Sequence, residues 1–200
     1  CRGFNSNVIR QTMERRAELE AGGTSVAIVA VGRKAVDFFA RNDVPVAVAL
    51  PGVFQRIDFQ TAVTIAGHAA EQFQAGQTDL VEVVYNEFQS MIRQDLVTRQ
   101  FLPLAPVPVD EDEMFVDYIY EPDREAIWSS LIDKFLNFSV WRMLLESNAA
   151  EQAARMTAME EATNNAEDMI KNLVSVRNKV RQTNITTELN EIVGSAQALE

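Results

Sequence analysis

The sequence predicts an α/β protein in two regimes: a small open sheet flanked by helices, followed by one very long C-terminal helix. Three observations carry this reading. Up to about residue 102, strand-sized apolar runs alternate with helix-like stretches between Gly and Pro punctuation. From Pro103 to Asp117 the composition shifts to three prolines and the acidic run Asp110-Glu111-Asp112-Glu113, which suits neither a core strand nor a helix interior. After Pro122 there is no further proline, and the next glycine is Gly194. The expected divisions are a sheet domain over 1–102, a linker over 103–121 and a long helix over 122–200.

The elements follow in order. After a turn at Gly3, Asn5 to Ala21 reads as a helix stopped by Gly22-Gly23, and Ser25 to Val31 as a buried strand ended by Gly32. Arg33 to Arg41 makes a short helix, and Val44 to Leu50 returns as a strand before Pro51-Gly52. Phe59 to Ala75 is a further helix closed by Gly76; Leu80 to Tyr85 and Leu96 to Leu104 are the remaining strands. Pro122 suits a first helical position, with Asp123 and Glu125 favouring the dipole of the opening turn. One helix from Asp123 to Leu199, about 77 residues, would be roughly 115 Å long.

Such a helix cannot bury itself, and its spacing shows what it requires. Met159, Ala162, Ala166, Met169, Leu173, Val176 and Val180 alternate by three and four, the period of a left-handed coiled coil. The seam resumes, slightly shifted, at Ile185, Leu189, Ile192, Ala196 and Leu199. A partner helix is needed, and no second breaker-free segment of that length occurs in the chain. Alanines and methionines in the seam favour close, adaptable packing. Nearer the start of the helix, Trp128, Leu131, Ile132, Phe135, Phe138 and Trp141 form a bulkier face, expected to pack on the sheet domain.

Composition excludes several functions. At 200 residues and 47% hydrophobic content the chain can bury one substantial core. A formal charge of −11 opposes binding to nucleic acid or to an anionic bilayer surface. One cysteine, Cys1, and one histidine, His68, leave too few ligands for a His/Cys metal site and no internal disulfide, which fits a reducing compartment. Cys1 reads as inert and His68 as structural. Gly32-Arg33-Lys34 follows a strand, but neither phosphate-loop spacing is present, so no direct nucleotide binding, cofactor or catalytic group is expected. No apolar run reaches the ~18–20 residues that span a membrane, and the start lacks a signal-peptide pattern. The chain has no initiator methionine and opens inside what reads as a turn, so it is expected to be part of a longer product.

Three places resemble the gamma subunit family of F-type ATP synthases. The most specific is the end: Glu151-Gln-Ala-Ala-Arg155-Met156, Ala162-Thr163-Asn164-Asn165-Ala166, Asn178, Arg181-Gln182, and Ile185-Thr186-Thr187-Glu188-Leu189-Asn190-Glu191-Ile192-Val193-Gly194. Asp117-Tyr118-Ile119-Tyr120-Glu121-Pro122-Asp123 is similar to the segment entering the family's long helix, and Cys1-Arg2-Gly3-Phe4-Asn5 to its glycine-rich turn. Gly32-Arg33-Lys34 and Tyr85-Asn86-Glu87-Phe88 fall between them in the expected order. Arg2 departs from the family's second glycine and would be strained if that position needed a positive φ.

The resemblance implies a Rossmann-like sheet domain and an antiparallel coiled coil between the long helix and an N-terminal helix, which is absent here together with the first strand. It implies a non-catalytic rotor that couples proton-driven rotation of a membrane ring to ATP synthesis. Arg155, Gln182, Thr186 and Glu188 match positions contacting the beta subunits of the catalytic head. Tyr118, Tyr120 and Glu121 match the foot, where the family meets the c-subunit ring and the epsilon subunit. Alpha and beta subunits, epsilon and the c ring are the implied partners. The location implied is peripheral, on the cytoplasmic face of a bacterial plasma membrane, with membrane association only through the complex. Without the family, the same four head residues are exposed polar positions of a coiled coil, and the tyrosines belong to a half-buried strand. A generic coiled-coil scaffold or an α/β enzyme with a helical arm would share the broad pattern. Neither accounts for the terminal motif.

Overall fold

The structure, a computed structural model, describes residues 2–105, 120–121 and 123–197. The chain divides into two compact units, Cys1–Arg155 and Met156–Glu200.

In the first unit, helix α1 (Arg2–Ala21) precedes strand β1 (Val29–Val31), helix α2 (Arg33–Arg41) and strand β2 (Val48–Leu50). A 3-10 turn at Val53–Gln55 leads into helix α3 (Phe59–Gln74), then strands β3 (Val81–Phe88) and β4 (Gln94–Leu102). Helix α4 (Arg124–Gln197) begins in this unit and supplies the second one. The turn expected at Gly3 is already helical, and Arg2 with it, so Arg2 carries no positive φ. α1 stops where expected: Gly23 takes φ 82, and the Thr24 N–H donates to the Leu19 carbonyl at 3.0 Å.

The strands pair in two ladders. β1 and β2 are parallel, with Val29 opposite Val48 and Val31 opposite Leu50; β3 and β4 form an antiparallel hairpin with Tyr85 opposite Val97. The expected strands over 25–31 and 44–50 shorten to three residues each, because a ladder extends only where a neighbour accepts its bonds. β1 bonds to β2 on one side. On the other, a cavity of about 740 Å³ is lined by residues of β1, β3, α1, α3 and α4. It lies between β1 and β3, and the small sheet is therefore split.

The main core joins Ala62 and Ala66 of α3, Phe101 and Leu102 of β4, Val53, and Leu136, Val140 and Leu144 of α4. Ala62 and Ala66 are 0% and 1% exposed, so methyl-sized side chains set the close approach of α3. A second cluster places Ile28, Ala30 and Phe39 together, with Met13 of α1 against them. The expected packing face of α4 needs correction. Leu136, Val140 and Leu144 are buried, whereas Trp128, Leu131, Ile132, Phe135 and Phe138 stay 40–58% exposed. Of the expected set, Trp141 packs against the core, and Phe138 and Trp141 set their rings against Phe59 of α3 at 5.3 and 5.7 Å. At about 100° per residue the expected set centres roughly 160° around the helix from Leu136, Val140 and Leu144, and both groups carry large apolar side chains. Periodicity alone cannot say which one meets the sheet.

α4 starts one residue later than expected. Asp123 caps it, its Oδ1 accepting the Ala126 N–H at 2.8 Å. Pro122 lies outside the described residues.

Candidate functional site

The surface of α4 beyond Arg155 is the first candidate. Over Arg124–Gln197 the helix runs 74 residues without interruption, as the absence of breakers predicts. Met159, Met169, Leu173, Val176, Val180, Ile185, Leu189 and Ile192 are each 48–64% exposed, and Ala162 and Ala166 are exposed with them. Each apolar side chain left in water forgoes roughly 1.5–3 kcal/mol available on full burial. A repeated stripe of this kind marks a contact surface.

The polar candidates flank this seam. At about 100° per residue, Gln182 and Thr186 fall roughly 50–90° to one side of the line through Ile185, Leu189 and Ile192, and Glu188 roughly 70° to the other. The Thr186 hydroxyl donates to the Gln182 carbonyl at 2.9 Å, tying its rotamer to the helix. Gln182 and Glu188 are exposed, their side chains free to meet a partner. From Met169 to Thr187 the helix has four cations, Lys171, Arg177, Lys179 and Arg181, and no carboxylate. Lys171 pairs with Asp168 at 3.1 Å, one residue before that stretch. The local field is therefore positive on a chain of net charge −11, and it favours an acidic facing surface.

Arg155 is not brought together with these three. It closes the first unit, and its guanidinium bonds back to Glu151 and to Gln152 at 3.3 Å. Tyr120 is 41% exposed, with the Arg124 guanidinium 5.8 Å from its ring centroid, and Glu121 is exposed. Tyr118 lies outside the described residues, as do Cys1 and the acidic run at 110–113. His68 lines the cavity beside β1 and β3.

Several ion pairs hold the first unit, and those of Arg15 with Glu82 and of Arg99 with Glu87 lay beyond sequence reasoning because their partners come from separate elements. Arg15 of α1 grips Glu82 of β3 bidentately, at 2.8 and 3.0 Å, and also reaches Glu18 at 3.0 Å. The hydrogen bond to Glu82, first, and that to Glu18 push the Arg15 guanidinium further up its already high range. Arg142 donates to Glu146 at 2.7 Å, and that bond raises the Arg142 pKa. Arg99 meets Glu87 across the hairpin at 3.1 Å. Among these groups sits Tyr85, 5% exposed, whose phenol is pushed above its usual value by burial, with Arg99 pulling the other way. Arg15, Glu82 and Tyr85 line the cavity beside β1 and β3, and each carboxylate named here holds a guanidinium. Among the described residues, no helix is long and apolar enough to cross a membrane.

A family model described as ATP synthase matches residues 1–199. The ATP synthase gamma chain of Chlorobaculum parvum is 45% identical over 204 residues, covering 100% of this chain and 70% of the relative. That of Chloroherpeton thalassium is 41% identical, again over 100% of this chain and 70% of its own length. Among solved structures, the central stalk and c ring of Tetrahymena thermophila mitochondrial ATP synthase matches with a TM-score of 0.59 at 25% identity, over 80% of this chain and 70% of that one. Euglena gracilis mitochondrial ATP synthase shares the fold with a TM-score of 0.63 at 22% identity, over 100% of this chain and 68% of that one. A match that runs from the first helix through the long terminal one, at identities above 40%, means that the chain belongs to the ATP synthase gamma chain family.

Proposed function

We propose that the chain works as a non-catalytic rotor shaft, and that Arg155, Gln182, Thr186 and Glu188 are where it meets the beta subunits of the catalytic head. The chain is a central-stalk subunit of ATP synthase, with alpha, beta and epsilon subunits and the c ring as its partners. The observation that carries the shaft reading is the 74-residue α4, whose exposed apolar seam is flanked on both sides by polar groups. One helix face serves a partner helix, and the flanks remain for a surrounding sleeve.

Coupling then follows from differential contact. A shaft that touched every catalytic site alike would shift none of them; rotation changes affinity only if its faces differ. Gln182 and Thr186 on one flank, Glu188 on the other and the cations from Lys171 to Arg181 make those faces chemically unlike. Some polar contacts hold at one angle and break at the next. Tyr120 and Glu121, with Tyr118, form the foot that meets the c ring and epsilon subunit and turns with the ring. In this reading residues 1–102 are the sheet domain, 103–121 the linker and foot, and 122–200 the shaft. The site of action is the peripheral sector, on the cytoplasmic face of a bacterial plasma membrane.

Removing the last turns from Ile185 onward tests the shaft reading. In the assembled synthase the truncation lowers proton-driven ATP synthesis and rotor torque while the sheet domain stays folded by circular dichroism. Undiminished synthesis by the truncated complex would refute the assignment.

A further inference from the structure

We draw no further inference here: the strongest candidate, the cavity of about 740 Å³ between β1 and β3 in the first unit, is the place of the strand that the family resemblance already implies, so filling it restates an established property of these proteins.

Discussion

Gly32 ends β1 with φ 98 and ψ 143, a conformation that residues with a Cβ rarely adopt. A Cβ there would also stand 3.1 Å from the Phe54 ring. Gly32→Ala is therefore expected to cost about 1–3 kcal/mol, read as a lower denaturation midpoint at unchanged slope. Tyr85 gives a second test, in pH. Its phenol is raised in the folded state by burial, so the folded chain holds that proton more tightly than the unfolded one. Its stabilising share is complete below the unfolded value of about 10 and is lost as pH rises through the folded value. Stability measured from pH 8 to 11 should fall more steeply in the natural chain than in Tyr85→Phe, and parallel curves would contradict this. Of these two residues, Gly32 was legible as a strand stop from its place after an apolar run. Tyr85 was legible as a strand residue and part of a motif but not as a buried phenol among charges, because those neighbours come from β3, β4 and α4 and no local pattern joins them.

At the scale of elements, α4 makes the sharper test because it carries two apolar stripes. Leu144 is 7% exposed in the core and Phe135 is 57% exposed. Leu144→Ala should cost about 2–5 kcal/mol, whereas Phe135→Ala in the same chain should stay within about 0.5 kcal/mol. Equal losses would mean that the bulkier stripe also packs on the sheet. The sequence predicted the existence and extent of α4 closely, since the lack of Pro and Gly is a property of the segment itself. It placed Phe138 and Trp141 against the sheet domain but missed Leu136, Val140 and Leu144, because the packing face is a property of the surface that α4 meets. The strands were foreseen in number and order but not in length. β1 and β2 shorten because pairing depends on neighbours, and the cavity beside β1 leaves one of its edges without a strand to bond. The hairpin of β3 and β4 reaches the expected stop near Pro103, whose missing N–H ends the ladder.

At the scale of the whole molecule, the first unit has a core of its own, while the described part of the second is the end of α4, whose apolar seam faces water. A single helix gains little from its own hydrogen bonds, and its stability comes from packing an apolar face. That asymmetry explains why the candidate site was only partly legible. The seam is written in spacing and could be read directly. The roles of Gln182, Thr186 and Glu188 came from the terminal motif, and geometry adds only that they straddle the seam. Arg155, anchored to Glu151 and Gln152 in the other unit, gains no such support. A generic scaffold would share the seam and its polar flanks but not the terminal motif.

The most direct measurement mixes this chain with purified alpha and beta subunits, supplies the family's N-terminal helix as a peptide, and follows complex formation together with ATP hydrolysis. The account predicts one copy joining each catalytic head and hydrolysis above that of the head subunits alone. A chain that stays outside the head with the helix supplied, leaving hydrolysis unchanged, would contradict it.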